Sequence, residues 1–237
     1  MEFPHRTPRI HILCLIMITF PIDQVNELRK QAREARMVRV DGPDEWCISE
    51  LDPTGVLDVF NTLRLRDGFV LRAYQYREDG NGDAFVWAMP IDAPFPVPEL
   101  HQYPPKPTEA LTDLMEAIEG DGTPWSYMEA SLFARETDEF GVFWEGRLAE
   151  QDVILGADPF FMGEHVTDAW KWNERKPILW EPSFQQINET ATVTFHTYSR
   201  LGRESLFCIV DSFKLGKYAF ETKCKRMAEG PNSWRAG

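Results

Sequence analysis

Two residue types able to cooperate chemically, a thiol and an imidazole, stand in the last third of the chain as His196 and Cys208. Thr190 to Ser199 and Glu204 to Phe213 are rich in β-branched and aromatic residues, and Leu201-Gly202-Arg203 lies between them. A hairpin centred on Gly202 sets His196 opposite Cys208. A second hairpin centred on Leu215 sets Cys208 opposite Thr222, so that Thr194, His196, Tyr198, Cys208, Tyr218 and Thr222 share one face. Cysteine beside histidine is the arrangement of an activated thiolate. Cys208 sits, however, within Leu206-Phe207-Cys208-Ile209-Val210, where a buried thiol is inert. The face suits either a polar and aromatic cradle for a ligand or a small hydrolase-like site around His196 and Cys208.

A second constellation is Glu164, His165 and Asp168. On a helix Glu164 and Asp168 are i,i+4 and His165 and Asp168 are i,i+3, a spacing that metal ligands use. Glu164 and His165 diverge by about 100° around the axis, so one helix makes a poor three-point site. Glu164 also fits a first-turn acid complementing the helix dipole.

A third is the acidic group Glu129, Glu136, Asp138, Glu139 and Glu145. Paired carboxylates can serve glycoside hydrolysis, but acids on amphipathic helices ordinarily face water. Tryptophans are the remaining candidates for a binding surface. On a helix Trp170 and Trp172 are separated by about 200°, so one of them points outward and supplies an interfacial anchor.

The elements that must position these residues follow from pattern. Asp23 to Arg36 carries Val25, Leu28, Ala32 and Ala35 at helical spacing, and Asp52-Pro53 opens a second helix running to Leu63. Thr108 to Glu119, with Leu111, Leu114, Met115 and Ile118 in a stripe, and the segment opened by Thr123-Pro124, with Trp125, Met128, Leu132 and Phe133, predict an antiparallel helix pair. Gly163 to Trp172 reads as a short helix and Lys176 to Ile187 as irregular chain.

Strands are expected at Phe69 to Arg77 and Ala84 to Met89 around a Gly/Asp/Asn turn, at Gly141 to Arg147, at Asp152 to Leu155, and as a C-terminal meander over 190–225. Met89 to Pro107 is proline-dense yet holds Phe95, Val97, Leu100 and Tyr103, which a solvated linker would lack. It reads as a strap laid across the body, its P-x-x-P at Pro104 to Pro107 being too short a pattern to mark an SH3-type ligand. The fold class is therefore α+β: an antiparallel sheet, made of the 69–89 hairpin and the 190–225 meander, packed against helices in one domain over 1–237. A split near residue 105 is the alternative.

Composition limits the function. Of 237 residues 43% are apolar, enough for a substantial core. The apolar run Ile10 to Phe20 is half the ~20 residues of a membrane span. It reads as a strand, as a signal-like segment without a cleavage site, or, with Met17 as the start, as residues ahead of the protein proper. Cys14, Cys47, Cys208 and Cys224 have no paired spacing, which points to a reducing, cytoplasmic setting without disulfides or thiolate metal sites.

Net charge is -13, and residues 109–164 carry fourteen acids against two bases. Such a field repels phosphate backbones, which disfavours nucleic acid as a partner. Walker, Rossmann, nucleophile-elbow and zincin motifs are all missing, and no cofactor is expected. The expectation is an acidic and aromatic binding module for a basic protein or a small ligand, with a small enzyme as the alternative.

Overall fold

The computed structural model describes residues 16–36, 45–78, 81–99, 102–141, 152–160, 170–199 and 203–232. It is an α+β protein dominated by antiparallel strands, with helices at Ile22–Arg36 (α1), Thr54–Leu57 (α2) and Pro124–Asp138 (α3).

A seven-stranded sheet has the order β1-β9-β10-β11-β12-β8, with β7 also on β10. Its strands are Ile16–Thr19 (β1), Asp152–Ile154 (β7), Lys171–Trp172 (β8), Ser183–Ile187 (β9), Thr190–Ser199 (β10), Arg203–Lys214 (β11) and Phe220–Asn232 (β12). β9 and β7 share one edge of β10, meeting Thr190 to Thr194 and Thr197 to Ser199 respectively. A three-stranded sheet joins Trp46–Ile48 (β2) to the hairpin Phe69–Glu78 (β4) and Asn81–Pro90 (β5), and Leu63–Leu65 (β3) pairs with Ile118–Gly120 (β6). The hairpin and the C-terminal meander, expected in one sheet, thus belong to two.

α3 joins the layers. Thr123 caps it, its Oγ1 accepting from Ser126 N at 3.3 Å, and Pro124 occupies its first turn. Tyr127, Met128, Ala130, Leu132 and Phe133 are buried together with Ser126, Glu129, Ser131 and Glu136, so the helix is enclosed around most of its circumference and lies between sheets rather than on a surface. The main core runs from Phe20 and Val25 through Phe60, Leu71 and Met128 to Phe195 and Phe213.

Several elements depart from the sequence pattern. The helix after Pro53 stops at Leu57, because Leu63 to Leu65 is drawn into pairing with β6. Thr108 to Glu119 is not a helix: only Leu114–Ala117 makes a 3-10 turn, capped by Asp113, whose carboxylate accepts from Met115 N at 2.9 Å. The helical stripe loses to tertiary pairing, since Leu111 N bonds Ala88 O and Arg66 N bonds Ala117 O. No antiparallel helix pair forms. Ser183–Ile187, expected to be irregular, is a strand filling the gap between β1 and β10.

The expected helix 163–172 ends in strand at Lys171–Trp172, and the rest of it lies outside the described residues, as does the strand expected at 142–147. The Ile10 to Phe20 run is strand over Ile16–Thr19. Among the described residues no helix is long and apolar enough to cross a membrane.

The proline segment is a strap. Phe95 stacks on Tyr74 with centroids 4.3 Å apart, and Tyr74 Oη donates to Pro96 O at 2.8 Å. Pro104 and Pro107, the ends of the P-x-x-P, are buried, whereas Val97 is 77% exposed and does not pack as its type suggests.

Candidate functional site

The first C-terminal hairpin has the expected register, with His196 opposite Cys208 and Thr194 opposite Val210. The second does not. Cys208 faces Lys225 and Thr222 faces Asp211, a displacement of three positions that turns Thr222 to the other side of the sheet. There Thr222 Oγ1 donates to Asp211 Oδ1 at 2.7 Å, and Asp211 receives the Arg135 guanidinium at 2.8 and 3.0 Å.

Tyr218 has left the ladder altogether. Its ring stacks on Tyr127 at 5.1 Å, and its hydroxyl accepts from Gly122 N at 2.9 Å and meets Ser126 Oγ at 2.8 Å. The cradle expected from Thr194, His196, Tyr198, Tyr218 and Thr222 is therefore divided between two faces.

What remains together on the outer face is aromatic packing. Trp170, Trp180, Tyr198, Leu206 and Ala228 form a second small core, with Trp170 6.2 Å from Tyr198 and Trp180 5.3 Å from His196. Trp170 and Trp172, on extended chain rather than helix, lie on one side and both touch Phe160; Trp170 is buried and Trp172 half-buried, so the pair does not supply the one outward-pointing ring that a helix would give.

Burial lowers the His196 pKa below the usual imidazole value and raises that of the Cys208 thiol. Both directions favour the neutral pair, the reverse of what a thiolate and imidazolium need. His196 Nδ1 is buried without a hydrogen-bond partner among the described residues. Glu164, His165 and Asp168 lie outside the described residues.

The acidic group is taken apart by the fold. Glu136 is completely buried, receiving Arg29 at 3.1 Å and Arg36 at 3.0 Å, and Glu139 takes Arg36 at 3.0 Å. Glu129 is buried beneath three donors, the backbone N and hydroxyl of Thr62 and Trp125 Nε1. Burial still lifts its pKa, against the pull of those bonds. Glu145 is outside the described residues. Asp138 alone of the group is left with no hydrogen bond or ion pair among the described residues, at the last position of α3, where a carboxylate meets the negative end of the helix dipole.

Asp138 opens onto a recess of about 310 Å³ lined by Val86, Trp87, Asp113, Met115, Ala134 and Phe220, among others. Each wall comes from a different element: β5, the capped 3-10 turn, α3 and the start of β12. The protein packed behind Asp138 raises its pKa above that of an ordinary aspartate; Arg135 opposes the rise and the neighbouring Asp113 adds to it. Arg135 is committed to Asp211, as above.

At the rim Lys106 of the strap donates to Thr112 Oγ1 at 2.8 Å and holds its ammonium 5.8 Å from the Trp87 ring centre. The sequence marked Asp138 in the acidic group and Trp87 among the tryptophans that could line a groove, and did not mark Asp113. The legible signal was an acid closing a helix, where a base is the stabilising choice. Comparison of this chain with protein-family models, with curated proteins and with solved structures finds no match.

Proposed function

We propose that the protein is a binding module whose recess at Trp87, Asp113 and Asp138 takes the cationic group of a basic protein or of a small molecule. One observation carries the reading: two carboxylates and an indole stand on the walls of a single concavity. A cation entering it gains two opposite charges at short range and an aromatic face. It also relieves the crowding of Asp138 by Asp113 and by the end of α3.

The contribution per contact is modest, about 0.5–2 kcal/mol for an ammonium on an indole. A single site of this kind gives weak affinity, which suits a docking point within a larger contact with a basic partner. The test is titration of isotope-labelled protein with Nα-acetyl-lysine-N-methylamide, followed by amide and indole NMR shifts. Movement centred on Trp87, Asp113 and Asp138, abolished in Asp138→Asn and Trp87→Ala, is the expected result. Shifts elsewhere, or none at millimolar ligand, would exclude the recess as a cation site.

A further inference from the structure

Resting on that reading of the recess, the geometry points to its ligand as a primary ammonium, and to Lys106 as a tethered occupant of the rim that such a ligand displaces.

Three observations lead there. Lys106 is exposed and could extend into water, yet its ammonium lies over Trp87 and on Thr112, both of which line the recess. It is carried by a strap anchored on either side, at Phe95 on Tyr74 and at the buried Pro104 and Pro107, so its backbone is presented to the rim at little further entropic cost. The acceptors nearby are a lone hydroxyl and two carboxylates from different elements, which suit a compact point charge with rotatable donors. Where this protein clamps a guanidinium in a bidentate pair, at Arg135 on Asp211, it presents one buried carboxylate. Where it holds one between two acids, at Arg36, both acids, Glu136 and Glu139, stand at the end of a single helix.

Lys106 therefore shows, within the chain, the chemistry the site accepts. Its stem reaches only the rim, leaving Asp113 and Asp138 to the incoming group. A lysyl side chain or alkylamine that reaches both carboxylates replaces the hydrogen bond to Thr112 and the contact with Trp87, and the strap lysine swings into solvent.

The experiment compares wild type with Lys106→Gln, the residue being exposed and the change keeping a polar stem. Nα-acetyl-lysine-N-methylamide and Nα-acetyl-arginine-N-methylamide are the probes, with binding followed by NMR shifts and Lys106 by its ε-methylene resonances. In free wild type those resonances lie upfield through the Trp87 ring current, and they return toward ordinary lysine values as the lysine probe is added. If Lys106 holds the rim about nine-tenths of the time, Lys106→Gln binds the lysine probe about tenfold more tightly, and the arginine probe binds more weakly to both proteins.

Equal or weaker binding of the lysine probe by Lys106→Gln would overturn the displacement while leaving the recess a cation site. Preference for the arginine probe would overturn the ammonium assignment alone. If neither probe binds either protein, the recess reading itself fails and this inference with it.

Discussion

Tyr218 lies so close over Gly120 that a Cβ at position 120 would stand 2.3 Å from Tyr218 Cζ. Only glycine lets β6 pass under that ring, and the ring cannot retreat, being stacked on Tyr127 and hydrogen-bonded to Gly122 and Ser126. Gly120→Ala should destabilise the protein by about 1–3 kcal/mol, the usual cost of overpacking, read as a lower urea midpoint. Tyr218→Phe leaves the Gly122 N–H without its acceptor and should cost about 1–3 kcal/mol. An unchanged midpoint in Gly120→Ala would show that Tyr218 is free to move.

Glu136 is enclosed by Arg29 and Arg36 between α1 and α3. Glu136→Gln removes the carboxylate that Arg29 and Arg36 share, with Glu139 still on Arg36, and a loss of about 3–5 kcal/mol is expected. Chemical denaturation measures it. A loss below 1 kcal/mol would mean that water reaches the arginines.

His196 gives stability a pH dependence of defined sign. Its folded-state pKa lies below the ordinary 6.5, so between the two values the unfolded chain binds more protons than the folded one. Stability therefore falls as pH drops through 6.5 toward the folded-state value, and rises again on neutralisation. Melting temperatures from pH 8 to pH 5 should show this decline, and His196→Phe should lose that part of it. An identical pH profile in the variant would place the sensitivity elsewhere.

Asp138 exchanges stability for binding. Asp138→Asn removes a carboxylate from the negative end of α3 and should stabilise the fold by about 0.3–1 kcal/mol, while weakening the lysine probe. Thermal melts and NMR titration of the same sample test both halves. A variant that is destabilised, or that binds the probe unchanged, would remove Asp138 from the site.

Phe95 holds the strap through its stack on Tyr74. Phe95→Ala should leave the core intact yet open the strap to proteases, with first cuts within residues 91–107. Limited proteolysis followed by mass spectrometry reads the positions, and first cuts elsewhere would show the strap to be held by other contacts.

Local chemistry alone placed much of this architecture. Glycine-bearing loops between β-branched runs mark β10 and β11, and a symmetric connection around Gly202 is enough to pair His196 with Cys208. Helical spacing marks α1, spacing with the Thr123 cap marks α3, and aromatic residues among the prolines distinguish a strap from a linker. Asp138 was visible as an acid in the acidic stretch, but not as the one left without a hydrogen bond or ion pair among the described residues.

Tertiary structure decided the faces. Tyr218 is pulled from the ladder by Tyr127, Ser126 and Gly122, which lengthens the β11–β12 connection so that Phe213 pairs with Phe220 and Thr222 crosses to the side of Asp211. Leu111 and Met115 sit at helical spacing but lie along β5, because the Ala88 carbonyl offers a hydrogen bond that periodicity cannot register. Trp87, Asp113 and Asp138 come from three elements distant in the chain. Spacing along a sequence reports which residues share a face of one element. Which faces meet depends on long-range pairing, and the recess exists only because those pairings bring its walls together.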